Sequence, residues 1–215
     1  AIPDDDLAAF RREPGRDVVE QQLLTDDVFV EGPGQFVVLR LQALPQCEGR
    51  VLLHRCCRQR ATQPELRLRA VHVHHGLLPQ ADAWLAHGEA LCARLAVPLE
   101  IIHLELVPRP GESVEAAARE ARYAALRRLI RPGEMLLTAH HQDDQLETVL
   151  LQLFRGAGVA GLAAMPEAAP FGRGMHLRPL LGMKRATIEL EARQAGLEWV
   201  EDPSNTSGRF DRAFL

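Results

Sequence analysis

Strand-like and helix-like segments alternate along the chain from residue 36 onward, and this order restricts the folds open to it. Short apolar runs such as "FVVL" (36–39) and "EMLLTAH" (134–140) have the character of strands that are buried on both faces. Longer segments with a helical spacing of apolar residues lie between them, as in "ADAWLAHGEALCARLA" (81–96). The pattern predicts an α/β fold, a doubly wound parallel sheet with helices on both faces.

Length and composition set the remaining limits. Residues 35–215 suffice for one domain of this kind, while the polar, acidic residues 1–34 predict a peripheral helical segment. The net charge of −4 argues against a surface covered with nucleic acid, and the four cysteines have the spacing of neither a zinc site nor a disulfide framework. No apolar run approaches the ~18 residues of a membrane span, and no export leader opens the chain. We therefore expect a cytoplasmic protein with no membrane partner.

Polar clusters follow three of the predicted strands. They are "HVHHGL" (72–77), "TAHHQDD" (138–144) and "EDPSN" (201–205), the last one after a predicted strand "LEWV" (197–200). In open α/β sheets, ligands bind outside the carboxyl ends of the strands. We therefore expect the first two clusters at neighbouring strand ends of one sheet edge.

The second cluster allows three interpretations. Asp143 and Asp144 fall in the first turn of a predicted helix, where carboxylates cap the helix and interact with its dipole. Together with His140 and His141 they exceed what capping requires, and carboxylates here could hold Mg²⁺ on a polyphosphate. A transition-metal site that shares His140 and Asp144 is the third interpretation, although no H-E-x-x-H or C-x-x-C motif accompanies it.

The helix over 142–156 has an apolar stripe, which predicts that one face packs inward. The stripe consists of Leu146, Val149, Leu150 and Leu153. In the preceding predicted helix, Arg119 and Arg122 are three residues apart on a face separate from its alanine stripe. They form either a solvated face or a means of placing one guanidinium in the crevice against phosphate charge, and spacing alone leaves both open.

Four stretches together resemble one family, the tRNA(Ile)-lysidine synthases of the PP-loop superfamily of N-type ATP pyrophosphatases. They cover residues 66–215 in family order: "LRAVHVHHGLLPQADAWLAHGEALCARLAVPL", "EAAAREARYAALRRLIRPGEMLLTAHHQDDQLETVLLQLFRGAGVAGLAAM", "LRPLLGMKRATIELEARQAGLEWVEDPSN" and "FDRAFL". The resemblance implies a Rossmann-like PP-loop fold over 35–215. Because the chain stops within the last motif, we expect the family's C-terminal tRNA-binding domains to be absent.

The resemblance also implies an activity. Such a ligase uses ATP and Mg²⁺ to adenylate the base of the wobble cytidine in an isoleucine tRNA. The ε-amine of free lysine then displaces AMP and forms lysidine. A homodimer is a possible assembly.

Residue roles follow from the same resemblance, position by position. The expected catalytic pair is Arg122, in "REARY", and Asp144, in "HQDD", and Asp144 is also the expected Mg²⁺ ligand. The residues expected at the nucleotide are His75, Gly76, His140 and Asp143. The residues expected on the tRNA or substrate side are Arg119, Asp202 and Asn205.

One turn departs from the family. Its S-G-G-x-D-S phosphate loop would lie between "FVV" and "VLLH", where this chain has "RLQALPQCEG" (40–49), and Ala213 stands where the family has asparagine. Pro45 lacks an N–H, and the missing glycines disfavour a backbone nest for phosphate.

Three hypotheses follow from this departure. The first is a lysidine-synthase domain with a loop altered by divergence or a reading-frame error. The second is a non-catalytic descendant that binds tRNA or a partner, and the third is a metal-dependent hydrolase built on His140, His141 and Asp144. We expect the chain as written to fold but to bind ATP weakly or not at all.

Overall fold

The computed structural model describes residues 36–40, 46–74, 81–104 and 113–199, apart from the side chains of residues 115, 159 and 160. Its strands are β1 (Phe36–Arg40), β2 (Arg67–His74), β3 (Leu99–His103), β4 (Glu134–Leu137), β5 (Ala168–Phe171) and β6 (Gly174–Leu177). Its helices are α1 (Cys47–Thr62), α2 (Ala81–Arg94), α3 (Val114–Leu129), α4 (Gln142–Phe154), α5 (Val159–Leu162) and α6 (Arg185–Gln194). The strands form one sheet in the order β3-β2-β1-β4-β6-β5. The predicted segment 1–34 lies outside the described residues.

Strand β1 lies inside the parallel part of the sheet, paired with β2 on one side and with β4 on the other. Val37, Val38 and Leu39 are at most 2% exposed because helices cover both faces. Successive side chains of a strand point to opposite faces. Val37 and Leu39 accordingly belong to the core cluster shared with α1, α2 and α6, and Val38 belongs to the cluster shared with the end of α3. The predicted α/β class with helices on both faces is confirmed.

Helices α1 and α6 are joined on their common face of the sheet by an ion pair. Arg55 of α1 donates hydrogen bonds of 2.8 and 2.6 Å to the two carboxylate oxygens of Glu191 in α6. Paired, two-pronged contacts of this kind fix orientation as well as adding energy. In the described part of the chain, no helix is both long enough and apolar enough to cross a membrane.

The sheet differs from the prediction at its edge. Strand β5 is antiparallel to β6, because only residues 172 and 173 connect them and a parallel crossover needs a dozen or more residues. Gly172, with φ of +61°, supplies the backbone conformation of that tight turn. The predicted strand "LEWV" is wrong over residues 197–199, where Leu197 and Trp199 instead pack against the α1–α6 core.

Two predicted placements also need correction. The strands before "HVHHG" and "TAHHQDD", β2 and β4, are not neighbours, because β1 lies between them. All three are parallel, so their carboxyl ends still share one edge. The turn after β1 is shorter than predicted, since α1 begins at Cys47 and includes Glu48 and Gly49 in its first turn.

The predicted inward stripe of α4 is wrong at its ends. Leu146 is 59% exposed and Leu153 is 50% exposed, while Val149 and Leu150 are half-buried. Helix α4 contributes no residue to either described core cluster. Its apolar spacing therefore reflects a surface face and not a core face.

At the amino end of the sheet, Arg69 of β2 is the centre of a polar network. Its guanidinium donates to Glu134 of β4 at 2.7 and 3.2 Å and to Glu100 of β3 at 2.8 Å. Glu134 is 2% exposed, and its carboxylate also accepts the backbone N–H of Arg131. The network ties β2, β3 and β4 together with the turn that precedes β4.

We predict that Arg69→Met lowers the free energy of unfolding by roughly 3 kcal/mol, because it leaves the buried Glu134 carboxylate without its counter-charge. Urea unfolding at pH 7 measures the loss. Arg67→Met, at the exposed start of the same strand, is the matched control and should change stability by less than about 0.5 kcal/mol. Equal effects of the two substitutions would contradict the assignment.

Candidate functional site

The carboxyl end of β1 lies at the point where the strand order reverses, with β2 on one side and β4 on the other. In open α/β sheets this reversal creates the crevice that binds ligands. A cavity of about 220 Å³ opens at the ends of β1 and β2. Its lining residues are Arg40, His72, Val73, His74, Ala81, Trp84 and Arg122.

Four arginines from β1, α3 and the segment after β6 gather around Tyr123 on the α3 side of this edge. We call Arg40, Arg119, Arg122 and Arg178 the cationic cluster. The Arg119 and Arg40 guanidinium carbons lie 5.1 and 6.0 Å from the centre of the Tyr123 ring. Burial and, after it, the positive charge of Arg40 lower the pKa of Arg122 to about 10. Burial is also the main cause of the lowered pKa values of Arg40 and Arg178.

Buried arginines are normally paired with a counter-charge, but three members of the cationic cluster are not paired in this way in the part of the chain that the structure describes. Within the described residues, Arg119, Arg122 and Arg178 form no ion pair with a carboxylate. The Nε atoms of Arg122 and Arg178 are buried there without a hydrogen-bond partner. Buried donors without partners are costly, so the cluster is suited to an anionic ligand.

Two neutral histidines adjoin the cationic cluster. Thr138 Oγ1 lies 2.8 Å from His140 Nδ1 and 2.9 Å from His176 Nε2. Burial, followed by the positive charges of Arg40 and Arg178, lowers the pKa of His140 to about 3. Burial and the same two arginines likewise lower the pKa of His176 to about 3. At neutral pH both rings are therefore uncharged.

A second group of charges surrounds His141; we call Glu48, Asp143 and Asp144 the acidic cluster. The two ring nitrogens of His141 lie 3.5 Å from Glu48, 3.5 Å from Asp143 and 3.6 Å from Asp144. Burial would lower the pKa of His141, but the hydrogen bond to Glu48 and the charge of Asp144 raise it overall. Burial would raise the pKa of Glu48, but its hydrogen bond to His141 is among the effects that lower it overall.

The carboxylates of the acidic cluster also hold the backbone at the start of two helices. Asp144 accepts the backbone N–H of His141 at 3.0 Å, and the His141 ring accepts the N–H of Asp143, which completes a capping box on α4. Asp143 accepts the backbone N–H of Arg185 at 2.8 Å at the start of α6. The capping interpretation is therefore correct for Asp144, whereas the Asp143 carboxylate bonds the start of α6 and not the start of its own helix. Each carboxylate has further lone pairs beyond these contacts.

A model of the PP-loop domain family matches residues 49–215. This chain belongs to the PP-loop family. The match begins inside α1, so strand β1 and the residues between β1 and α1 precede the matched range.

Curated relatives of this PP-loop chain share about half of its residues over the aligned part. It is 51% identical over 168 residues to the tRNA(Ile)-lysidine synthase of Methylococcus capsulatus and 48% identical over 168 residues to that of Pseudomonas fluorescens. The aligned parts cover 78% of this chain and 38% of each relative, so the chain spans under two-fifths of their length.

A solved structure has the same fold. A U34-tRNA thiolase from Methanococcus maripaludis, with its 4Fe-4S cluster, superposes with a TM-score of 0.71 over 91% of this chain and 67% of that one. Sequence identity is 16%, so this likeness concerns the fold alone.

The structure places some of the predicted PP-loop site residues together and separates others. Arg122 lines the cavity, which supports the crevice interpretation, and Arg119 is exposed with its guanidinium over Tyr123. His140 lies at the cationic cluster, whereas Asp143 and Asp144 belong to the acidic cluster. No contact joins Arg122 to Asp144 within the described residues, so their common crevice stays a prediction. Four predicted residues lie outside the described ranges: His75, Gly76, Asp202 and Asn205.

The hypothesis of a transition-metal hydrolase does not fit this arrangement. Consecutive His140 and His141 point into different clusters, one cationic and one acidic. Across the described ranges, no three His, Cys, Asp or Glu side chains are grouped so that they could hold a metal ion.

Sequence reasoning missed three residues of the site, His176, Arg178 and Glu48, and it predicted for Arg40 only a loose attraction of phosphate. Arg40, His176 and Arg178 stand at or near the carboxyl ends of β1 and β6, and their meeting with α3 is a property of the sheet order alone. Glu48 had a signal in the sequence, because it is the one carboxylate in "RLQALPQCEG".

We predict that the free energy of unfolding falls as pH decreases from about 6.5 toward 3. His140 and His176 stay neutral in the folded protein over this range, while the unfolded chain takes up protons near the ordinary histidine pKa of about 6.5. Above about pH 7 neither state binds these protons, so the two histidines add no slope.

Urea unfolding of the parent chain and of His176→Gln between pH 7.5 and 4.5 tests this prediction. The substitution removes one titrating group, so the slope should flatten by up to about 1.4 kcal/mol per pH unit. Its lost hydrogen bonds lower stability equally at every pH and leave the slope comparison valid. Parallel curves for the two proteins would contradict the prediction.

Proposed function

We propose that this PP-loop chain is the ATP-dependent catalytic part of a tRNA(Ile)-lysidine synthase, which attaches lysine to the wobble cytidine of an isoleucine tRNA. Support comes from relatives of that name at about 50% identity and from the PP-loop match. The single structural observation that carries the proposal is the cationic cluster beside a cavity at the reversal point of the sheet. It suits a ligand that combines a nucleoside with a polyphosphate.

In the proposed reaction, the cytosine carbonyl oxygen attacks the α-phosphorus of ATP and pyrophosphate leaves. Arg122, half-buried and with a buried Nε atom lacking a partner, would donate to phosphate oxygens as their charge develops. Arg40 faces the same cavity and would attract the polyphosphate. The ε-amine of lysine then attacks the activated base carbon and releases AMP.

Two carboxylates of the acidic cluster would be enough for a Mg²⁺ ion whose other ligands are phosphate oxygens and water. Mg²⁺ in such sites usually takes one or two carboxylates together with phosphate oxygens and water. Asp144 and Asp143 are the residues proposed to hold it, and the bound ion would neutralise the negative charge of the phosphates. Glu48, 6% exposed beside them, adds a third carboxylate to the field around the site.

The tRNA would approach from the open side of the same edge. Arg119 is exposed there and suits a phosphate of the RNA backbone, while Asp202 and Asn205 are proposed on the substrate side. The isoleucine tRNA and free lysine are the proposed partners, in the cytoplasm, and a homodimer stays a proposal.

We predict that the chain as written binds ATP only weakly, with a Kd of order 1 mM at physiological salt. The residues before α1 offer no run of glycines for a phosphate nest, so binding depends on arginines whose attraction salt screens. Calorimetry with ATP and Mg²⁺ at two salt concentrations measures both effects. Micromolar affinity with pyrophosphate release on addition of the tRNA would show that the turn still works as a phosphate loop.

A glycine-rich S-G-G-x-D-S loop in place of residues 41–46, which keeps Arg40 and the whole of α1, should give lysine incorporation into an isoleucine tRNA. In that background, Asp144→Ala should lower the rate at saturating ATP, Mg²⁺ and lysine at least a hundredfold, because a metal-binding carboxylate is lost. Glu89→Ala, an exposed carboxylate on α2, is the matched control. A near-parental rate for Asp144→Ala would remove that residue from the mechanism.

A further inference from the structure

The nitrogen and oxygen atoms between Arg178 and His140 form a continuous hydrogen-bonded chain. Arg178 Nη2 lies 3.2 Å from His176 Nδ1, His176 Nε2 lies 2.9 Å from Thr138 Oγ1, and Thr138 Oγ1 lies 2.8 Å from His140 Nδ1. The chain crosses from the end of β6 to the segment after β4, and both His176 and Thr138 are 3% exposed. Each proton in it must therefore find its acceptor within the protein.

The direction of this chain is fixed at its first member. A guanidinium has donors only, so Arg178 Nη2 donates to His176 Nδ1. The positive neighbours and the burial of His176 keep its ring neutral, which leaves its one proton on Nε2. His176 Nε2–H therefore donates to Thr138 Oγ1.

The Thr138 hydroxyl continues the series in the same direction, because it donates its proton to His140. If Thr138 accepted from both histidines, its own proton would be buried without an acceptor, because its oxygen has no other partner in the described ranges. Such an unsatisfied donor costs about 1–3 kcal/mol elsewhere in proteins. The hydroxyl therefore donates to His140 Nδ1, and the proton of the neutral His140 ring is on Nε2.

The Nε2 atom of His140 makes no hydrogen bond in the described part of the structure, and it is not among the buried atoms without a partner. It thus remains accessible at the edge of the cationic cluster, near the charges of Arg40, Arg119 and Arg178. A neutral N–H donor with positive neighbours favours an acceptor that carries negative charge.

We propose that Arg178, His176 and Thr138 are positioning residues, which hold His140 as an Nε2–H donor toward a phosphate oxygen of the ligand in the cationic cluster. The identity of that ligand rests on the proposed function. The proton arrangement rests only on the contacts of the protein itself. Two separate measurements can therefore fail independently.

The first measurement needs no ligand. Long-range ¹H–¹⁵N spectra of the histidine side chains, recorded between pH 6 and 7.5, should show His140 and His176 both as Nε2–H tautomers. In Thr138→Val, which preserves the shape of the side chain, His140 should become a mixture of tautomers, whereas Thr138→Ser should retain the parental spectrum. If His140 is the Nδ1–H tautomer in the parent chain, the proposed hydrogen-bond directions are wrong, whether or not any variant folds.

The second measurement uses inorganic pyrophosphate as the probe. Its addition should shift the His140 Nε2 resonance, and Thr138→Val should bind it about tenfold more weakly than Thr138→Ser does, the effect of one charge-assisted hydrogen bond. Equal affinity of the two variants, or no change at His140 on binding, overturns the role toward the ligand. If both histidines are the predicted tautomers but pyrophosphate does not bind, the hydrogen-bond directions are supported. The same result counts against the class of ligand, and with it the proposed function.

Discussion

The site depends on one constraint, the parallel pairing of β1 with a strand on each side. Because β2 and β4 both run parallel to β1, their carboxyl ends lie at the same edge, and the chain must leave β1 there to enter α1. Arg40 at the end of β1 is therefore brought to α3 and its Arg122 without any local sequence signal. Hydrophobic burial of "VVL" on two faces fixes this geometry, since a shift by one residue would exchange the faces of every side chain.

Positive and negative groups form separate clusters within this edge of the sheet. His140 and His141 are consecutive, yet the first contacts Thr138 in a positive environment and the second contacts three carboxylates. Burial keeps His140 neutral, while the carboxylates raise the pKa of His141. A ligand with a negative phosphate chain and a bound cation would meet matching charges on the two sides.

Sequence patterns predicted the fold class well because the buried runs and the helical spacings are local properties. The family resemblance at "REARY" predicted a site role for Arg122, and this residue does line the cavity. The contribution of Arg178 could not be predicted, because it depends on β6 pairing with β4 across a hairpin whose outer strand is antiparallel. The error at Leu146 has another cause, since helical spacing identifies an apolar face but not whether another element covers it.

The polar network of Arg69 lies at the opposite end of the sheet from the candidate site. From Arg69 to His74, five residues along β2, the distance is about 16 Å at the usual rise of a strand. This exceeds the screening length of about 8 Å at physiological salt, so charges at the two ends are nearly independent. One end of the molecule can thus accumulate changes in ligand preference while the other preserves the fold, and a chain with an altered phosphate loop can persist as a folded protein.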